Sequence, residues 1–315
     1  MRAFAIDQFG EPGSVQQLPT PVAGPGEVLV RVKAAGVNAM DPILATGALQ
    51  SMMEHRLPLI PGLDLSGTVE AVGPGVADLR VGDEVYGRST KRYFGEGTFA
   101  EFATSDPQGL WPKPGSIGHP EAAALGTAGT EALALVDAVG LQPGQVLVIV
   151  GAAGGVGTFA TQLAARKGAR VIGVTSAGNA GFVRDMGAHD VIDYEAGDLA
   201  AAIKALAPDG VDAIIDLHSD RDSLMVLAST VKRGGHVVSP VNAVDQGALA
   251  EHGLTGANVR AATDRVGELG DLVARGELRV PISRTFALAE ANDALTEQGT
   301  HRSRGKLVIL IEAER

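Results

Sequence analysis

The segment Val146-Leu-Val-Ile-Val-Gly-Ala-Ala-Gly-Gly-Val-Gly157 constrains the fold more than any other part of this chain. Its opening run, Val146 to Val150, suits a central parallel strand buried on both faces. The glycines follow at once. Thr158 to Lys167 then favours a helix, and a second strand begins near Arg170. Strand, glycine turn and helix in that order are the context in which such a loop binds a dinucleotide. Gly151 and Gly154 let the backbone approach a pyrophosphate at the helix N-terminus, where unpaired N–H groups and the helix dipole favour negative charge. Gly157 would let the helix pack closely on the sheet. A mononucleotide P-loop is excluded, because no Gly-Lys-Ser/Thr follows. The plain alternative is a glycine-rich structural turn.

The same texture extends on both sides of the loop. Glu121 to Val139 is rich in Ala and Leu and predicts a helix ending at Gly140. Strand-like runs recur at Arg170–Val174, Val191–Tyr194, Ala213–Asp216 and His236–Ser239, with helix-like segments between several of them. A further helix is expected over Arg265–Arg275. This alternation predicts a doubly wound α/β domain with a parallel sheet. The first hundred residues differ. Val28–Lys33 reads as a strand after the turn Gly24-Pro-Gly26, Leu65–Val72 as another closed by Gly73-Pro-Gly75, and Val81–Gly87 as a third entered through a tight turn. Frequent Gly and Pro at irregular spacing predict a compact, mostly antiparallel, β-rich domain. The tail, with the strand-like run Lys306–Ile311, is expected to return to it. The expected domains are therefore 1–120 with 276–315, and 121–275. A chain of 315 residues is long enough for two cores.

Charge and cysteine content remove several function classes. The net charge is −11 and Lys and Arg do not cluster, which argues against a nucleic-acid partner. The chain has no cysteine, so disulfides, thiolate nucleophiles and cysteine-ligated zinc are excluded together. Val146 to Ala165 carries no charge and has the length of a membrane span. Its glycines and its β-branched start argue against one, and no membrane partner is expected. Met1-Arg-Ala-Phe4 lacks the continuous apolar run of a secretory signal, which makes the cytoplasm the expected location.

The end of the second strand bears on the cofactor. An Asp or Glu there would accept the ribose hydroxyls of NAD and repel a 2′-phosphate. The sequence instead reads Gly173-Val-Thr-Ser-Ala-Gly-Asn179, with the hydroxyls of Thr175 and Ser176 and the amide of Asn179 where the carboxylate would stand. This favours NADP (NADPH).

Gly36-Val-Asn-Ala-Met-Asp41, Pro61-Gly-Leu-Asp-Leu-Ser-Gly67, Val81–Gly87, Gly97-Thr-Phe-Ala-Glu-Phe-Ala103, the loop Ala152–Gly157, Gly234-Gly-His-Val-Val-Ser239 and Arg304-Gly-Lys306 follow one another in register. In these motifs nearly the whole chain resembles the medium-chain dehydrogenase/reductase superfamily, in its zinc-independent, quinone-oxidoreductase-like branch. The resemblance implies a GroES-like catalytic domain joined to a Rossmann domain, and an NADPH-dependent enzyme passing hydride to a quinone or an α,β-unsaturated carbonyl. By the same resemblance Asn38 and Thr130 would lie near the nicotinamide. Ala153, Gly154, Gly155 and Val156 would hold the pyrophosphate, and Ser176 and Tyr194 would face the 2′-phosphate. Leu217, Ser239, Pro240 and Val241 would line the inner ribose and nicotinamide. Relatives commonly dimerise by extending the Rossmann sheet across a two-fold axis, so a homodimer is expected, with Gly234–Ser239 starting that edge region.

The chain also departs from its relatives. Gly178 stands where many carry Lys or Arg for the 2′-phosphate, and Ile43 where many carry a Tyr near the substrate. The stretch Gly126–Glu131 is one residue shorter than is common. The metal-dependent alcohol dehydrogenases bind zinc through Cys, His and Cys. Asn38 and Leu63 fall where the first Cys and the His would be, and the histidines show no ligand spacing. Without a Lewis acid, an acceptor that is already activated suits the site better than a simple alcohol. Tyr86, Tyr93 and His218 can be read as proton donors or as packing and surface residues, and no catalytic acid is assigned. Acceptor-pocket residues are expected from the loops Ala45–Leu57 and Val241–Asn258. A short-chain dehydrogenase is excluded, since no Tyr is followed four residues later by Lys. The alternative from a different class is an NADPH-binding redox sensor or structural protein with little turnover.

Overall fold

The computed structural model describes residues 1–261 and 263–311. The chain divides into two units: Met1–Thr130 together with the chain from Thr263 onward, and Glu131–Ala262. The first unit opens with β1 (Arg2–Ala5) and β2 (Ser14–Gln17), an antiparallel pair. Then come β3 (Val28–Val37), β4 (His55–Ile60), β5 (Asp64–Val72), β6 (Glu84–Arg88), β7 (Phe94–Glu96), β8 (Phe102–Ser105) and β9 (Leu110–Pro112). The second unit holds β10 (Val146–Val150), β11 (Arg170–Thr175), β12 (Asp190–Asp193), β13 (Val211–Asp216), β14 (Val231–Ser239) and β15 (Thr255–Asn258). The chain then returns to the first unit with β16 (Ile282–Ala287) and β17 (Lys306–Leu310).

The sheet of the first unit runs β16-β17-β3-β5-β6-β9, with β8 also paired to β3, while β4 and β7 form a separate pair. β3 is buried along almost its whole length because β17 and β5 flank it and β8 pairs with its start. The core beneath includes Phe4, Leu59, Leu65, Phe99, Phe286 and Leu307, all essentially inaccessible. Each such side chain contributes about 1.5–3 kcal/mol by leaving water. The C-terminal segment supplies part of this core through Phe286 and Leu307.

The second unit is a six-stranded parallel sheet in the order β12-β11-β10-β13-β14-β15. From β10 the chain moves outward through β11 and β12, then returns to β13 on the other side. This is the Rossmann order, and it opens a crevice at the carboxyl ends of β10 and β13. Val148, Ile172, Ile214 and Val237 form its centre, with Ile203, Leu224 and Leu227 from the helices packed against them. The charge-free stretch Val146–Ala165 is thus a strand, a loop and part of the helix Gly155–Arg166. Among the described residues no helix is long and apolar enough to cross a membrane.

The structure departs from the sequence reading in three places. The helix expected over Glu121–Val139 is two helices, His119–Ala123 and Gly126–Ala138. The second starts afresh where the Thr127 amide donates to Asp64 Oδ2 (2.9 Å), and a Cβ on Gly126 would stand 2.6 Å from Asp64 Oδ1. The boundaries drawn at 120/121 and 275/276 also shift, because residues 121–130 and the helix Val266–Ala274 belong to the first unit. There the Tyr86 hydroxyl donates to Val266 O (2.9 Å) and ties that helix to β6. Finally, Gly234–Ser239 does not border the sheet edge. It lies within β14, between β13 and β15, and β15 is the outermost strand on that side.

Candidate active site

The glycine loop turns sharply off the end of β10. Gly151 has φ 81° and, with Ala152, donates to Val174 O (3.2 and 3.1 Å). Gly154 N donates to Gly151 O (3.1 Å), and Gly154 caps the helix Gly155–Arg166 in an extended conformation. The first bond of that helix runs from Thr158 N to Gly154 O (2.9 Å), which leaves the amides of Gly155, Val156 and Gly157 at the unpaired end. Ala153 is buried behind the turn. A Cβ on Gly154 would meet only Gly151 O, at 3.5 Å, so the loop presents an open cradle there. Gly157 is different: its Cβ would lie 2.2 Å from Gly151 O, so its close approach is to the loop backbone itself.

Parallel register carries the neighbouring strand ends to the same edge. Val150 pairs with Val174 and Asp216, and Thr175 with Asp193. Tyr194 N donates to Thr175 O and Leu217 N to Val150 O, each at 3.3 Å. Thr175 is buried within β11, and Ser176 is the hydroxyl residue that emerges from it. Ser176 Oγ accepts from Asn179 Nδ2 (3.2 Å), while Tyr194 stands half exposed on the adjacent strand end. Ser239 is buried, and its Oγ accepts from Val241 N (3.2 Å). Pro240 and Val241 follow at the surface. All site residues expected between Gly151 and Val241 thus share the carboxyl edge of one sheet. Sequence reasoning missed Asp216 there. Its Oδ1 accepts the amides of His218 (2.9 Å) and Ser219 (2.7 Å), and its buried Oδ2 has no partner. An open cradle beside an orphaned acceptor fits a dinucleotide carrying a pyrophosphate and ribose hydroxyls.

Asn38 and Thr130 lie in the first unit, and both are buried. Thr130 Oγ1 is spent on its own helix, donating to Gly126 O (2.6 Å). Asn38 is the centre of a buried polar cluster. Its Oδ1 accepts from Lys306 Nζ (2.7 Å), its Nδ2 donates to Asp64 Oδ2 (3.0 Å), and its amide donates to Asp41 Oδ2 (2.7 Å). Lys306 Nζ also donates to Val37 O (2.7 Å), and Thr127 donates to Asp64 through its hydroxyl (2.6 Å) as well as its amide. Burial pushes Asp41 up to about 7, and the charge of Asp64 adds to this against the bond from the Asn38 amide. Burial lowers Lys306, opposed by the charges of Asp64 and Asp41. The motifs contained Asp41, Asp64 and Lys306, but their roles were not assigned. Their signal was charge set among Gly and apolar neighbours.

A cavity of about 220 Å³ opens in the same unit, lined by Leu44, Met53, Leu59, Leu63, Phe94, Arg88, Tyr93 and Glu96 among others. Met53 comes from the expected loop Ala45–Leu57. The Arg56 guanidinium lies 3.5 Å from the centre of the Tyr93 ring. Burial and the adjacent Glu96 push Tyr93 up to about 12, so its phenol stays protonated at neutral pH. Tyr86 is fully buried with its hydroxyl on Val266 O, and burial raises it too; it is a packing residue.

Comparison with known proteins accords with this arrangement. Residues 24–115 match the alcohol dehydrogenase GroES-like domain, and residues 186–309 match the zinc-binding dehydrogenase family. The quinone oxidoreductase of Mus musculus is 29% identical over 333 residues, 99% of this chain and 98% of that one. That of Rattus norvegicus is 34% identical over 230 residues, 70% of this chain and 68% of that one. Among solved structures, the quinone oxidoreductase from Coxiella burnetii superposes with a TM-score of 0.88 at 31% identity, covering 99% of both chains. The Escherichia coli quinone oxidoreductase complexed with NADPH shares the fold, with a TM-score of 0.87 at 24% identity over 98% of this chain and 100% of that one. A glycine cradle at the Rossmann switch point and a GroES-like unit, with relatives of this identity and coverage, make the chain a member of the medium-chain dehydrogenase/reductase superfamily, an oxidoreductase of its quinone-oxidoreductase-like branch.

Proposed function

We propose that this chain is an NADPH-dependent, metal-free oxidoreductase of the cytoplasm that reduces quinones or α,β-unsaturated carbonyls. The observation that carries the cofactor reading is the end of β11. Ser176 emerges there next to the strand end that carries Tyr194, and β11 itself ends without the carboxylate that would accept ribose hydroxyls and repel a 2′-phosphate. NADPH supplies the hydride from its nicotinamide ring. An enone reduced in this way would gain the hydride at its β-carbon and a proton from solvent at its α-carbon, with NADP+ as the other product. The chain contributes the cradle of Gly154, Gly155 and Val156 and the Ser176 hydroxyl to hold the cofactor, and the cavity of the first unit offers a place for the acceptor.

The metal-free reading is supported by the donor set. The chain has no cysteine, and Asn38 Oδ1 already receives a cation from the chain, the Lys306 ammonium. The acceptor class rests on the same point, since an acceptor already polarised needs no Lewis acid. The names of the relatives point the same way. The homodimer belongs to this proposal as well, through the edge strand β15 on both subunits, the same patch meeting itself across a two-fold axis.

The test is steady-state oxidation of NADPH and of NADH across a panel of quinones and enones, with paired cofactor titrations. NADPH should bind roughly ten- to a hundredfold more tightly, the loss of one charge-assisted hydrogen bond separating the two. Equal affinities overturn the cofactor assignment. A chain that binds NADPH tightly and turns over no acceptor is a sensor rather than a reductase.

A further inference from the structure

We propose that the acceptor this enzyme takes bears a carboxylate, and that Arg88 recognises it. The proposal rests on the enone reading above and names the substrate class within it. Arg88 ends β6 and lines the 220 Å³ cavity of the first unit. Its Nε is buried without a hydrogen-bond partner, and among the described residues no hydrogen bond or ion pair engages the Arg88 side chain. Every other charge facing that space is matched. Lys91 is held by Glu27 (2.8 Å) and Glu96 (3.2 Å), so the one carboxylate in the cavity wall is already taken. Asp41 reaches the wall only through its bond from Gly62 N (3.2 Å) and belongs to the cluster around Lys306.

Arg88 is half-buried in a wall it shares with Leu44, Leu59, Leu63 and Phe94, and its guanidinium, with Nε shut from water and no counter-ion, is only partly solvated there. A ketone oxygen would give it an acceptor but leave its charge uncompensated. A carboxylate satisfies both, and its geometry matches the planar fork of arginine bidentately. The volume is below the roughly 300–1,000 Å³ of pockets for drug-sized ligands, which suits an acceptor of few carbons. A carboxylate conjugated only to the reacting double bond would deactivate it toward hydride. The structure therefore points to an enone with the acid on the far side of its C=C bond.

The experiment compares 4-oxopent-2-enoate with its neutral methyl ester as acceptors for the full chain with NADPH. It also compares binding of the saturated, unreactive pair, 4-oxopentanoate and its methyl ester, in the presence of NADP. In the wild type, the acid should exceed the ester at least tenfold in kcat/KM and in affinity. In Arg88→Gln the acid-to-ester ratio should fall toward one, and Arg88→Lys should keep part of it. The ratio is internal to each protein, so a general loss of folded enzyme does not move it. Equal binding of acid and ester by the wild type overturns the proposal without any variant. An ester reduced as well as the acid leaves the enone reading standing and removes Arg88 from it. An acid held through Arg88 but never reduced keeps the site and overturns the enone reading.

Discussion

Lys306 Nζ stands 2.7 Å from Asn38 Oδ1, although 268 residues separate the two in sequence. The bond fixes the Asn38 amide so that its Nδ2 faces Asp64, and it joins the start of β17 to the end of β3. Both partners are buried, and the ammonium is the cation that offsets Asp64 and Asp41. Lys306→Met should therefore leave buried carboxylates without their counter-charge and destabilise the protein by about 3–5 kcal/mol. Urea unfolding of wild type and variant measures this. A variant within experimental error of wild type would show that the cluster is not held by charge.

The same cluster gives stability a defined pH dependence. The Asp41 carboxyl moves from its ordinary value of 3.8 to about 7 on folding. Between those values the native state holds a proton that the unfolded chain has released. The Asp41 contribution is therefore fully present below pH 3.8 and is lost as pH rises through about 7. Unfolding free energies measured from pH 5 to 8 should contain this falling component, and Asp41→Asn should flatten it. An unchanged slope in the variant would assign the effect to other groups.

Two glycines of the loop separate binding from folding. Gly154 has room for a side chain within the protein, so Gly154→Val should fold while weakening NADPH binding at least about tenfold, the added methyls occupying the cradle. Gly157→Ala puts its Cβ 2.2 Å from Gly151 O and should lower the melting temperature. Thermal melts with cofactor titrations read both. Unaltered affinity in a folded Gly154→Val would move the pyrophosphate elsewhere.

Cofactor choice should respond at the end of β11. If Ser176 faces the 2′-phosphate as proposed, Ser176→Asp would set a carboxylate against it and should reverse the preference toward NADH. Gly178→Arg should raise the preference for NADPH. Gly178 is exposed, and nothing lies within 4 Å of where its Cβ would be, so the added guanidinium meets no steric obstacle. A variant Ser176→Asp that still prefers NADPH would show that this strand end does not read the phosphate.

Metal content is the simplest measurement. The purified protein should contain no stoichiometric zinc, and a chelator should leave its fold and its acceptor reduction intact. Activity lost to chelator and restored by zinc would overturn the metal-free reading.

What the sequence determined by itself is local. The five residues of β10, the glycines after them and the following helix are contiguous, and each is dictated by propensity and sterics within a few residues. The run Thr175-Ser-Ala-Gly-Asn179 likewise showed the missing carboxylate directly, because strand end and turn are consecutive. Only the tertiary structure decided the rest. It broke the helix before Gly126, since that depends on Asp64 arriving from another strand. It covered β14 with β15, a pairing that no periodicity within β14 reveals. It also gathered Asn38, Asp41, Asp64 and Lys306 into one buried cluster and left Arg88 in a cavity wall with no partner. Burial and charge compensation are properties of the whole packed unit, set by residues distant in sequence, so a linear pattern shows which charges are present but not which of them are matched.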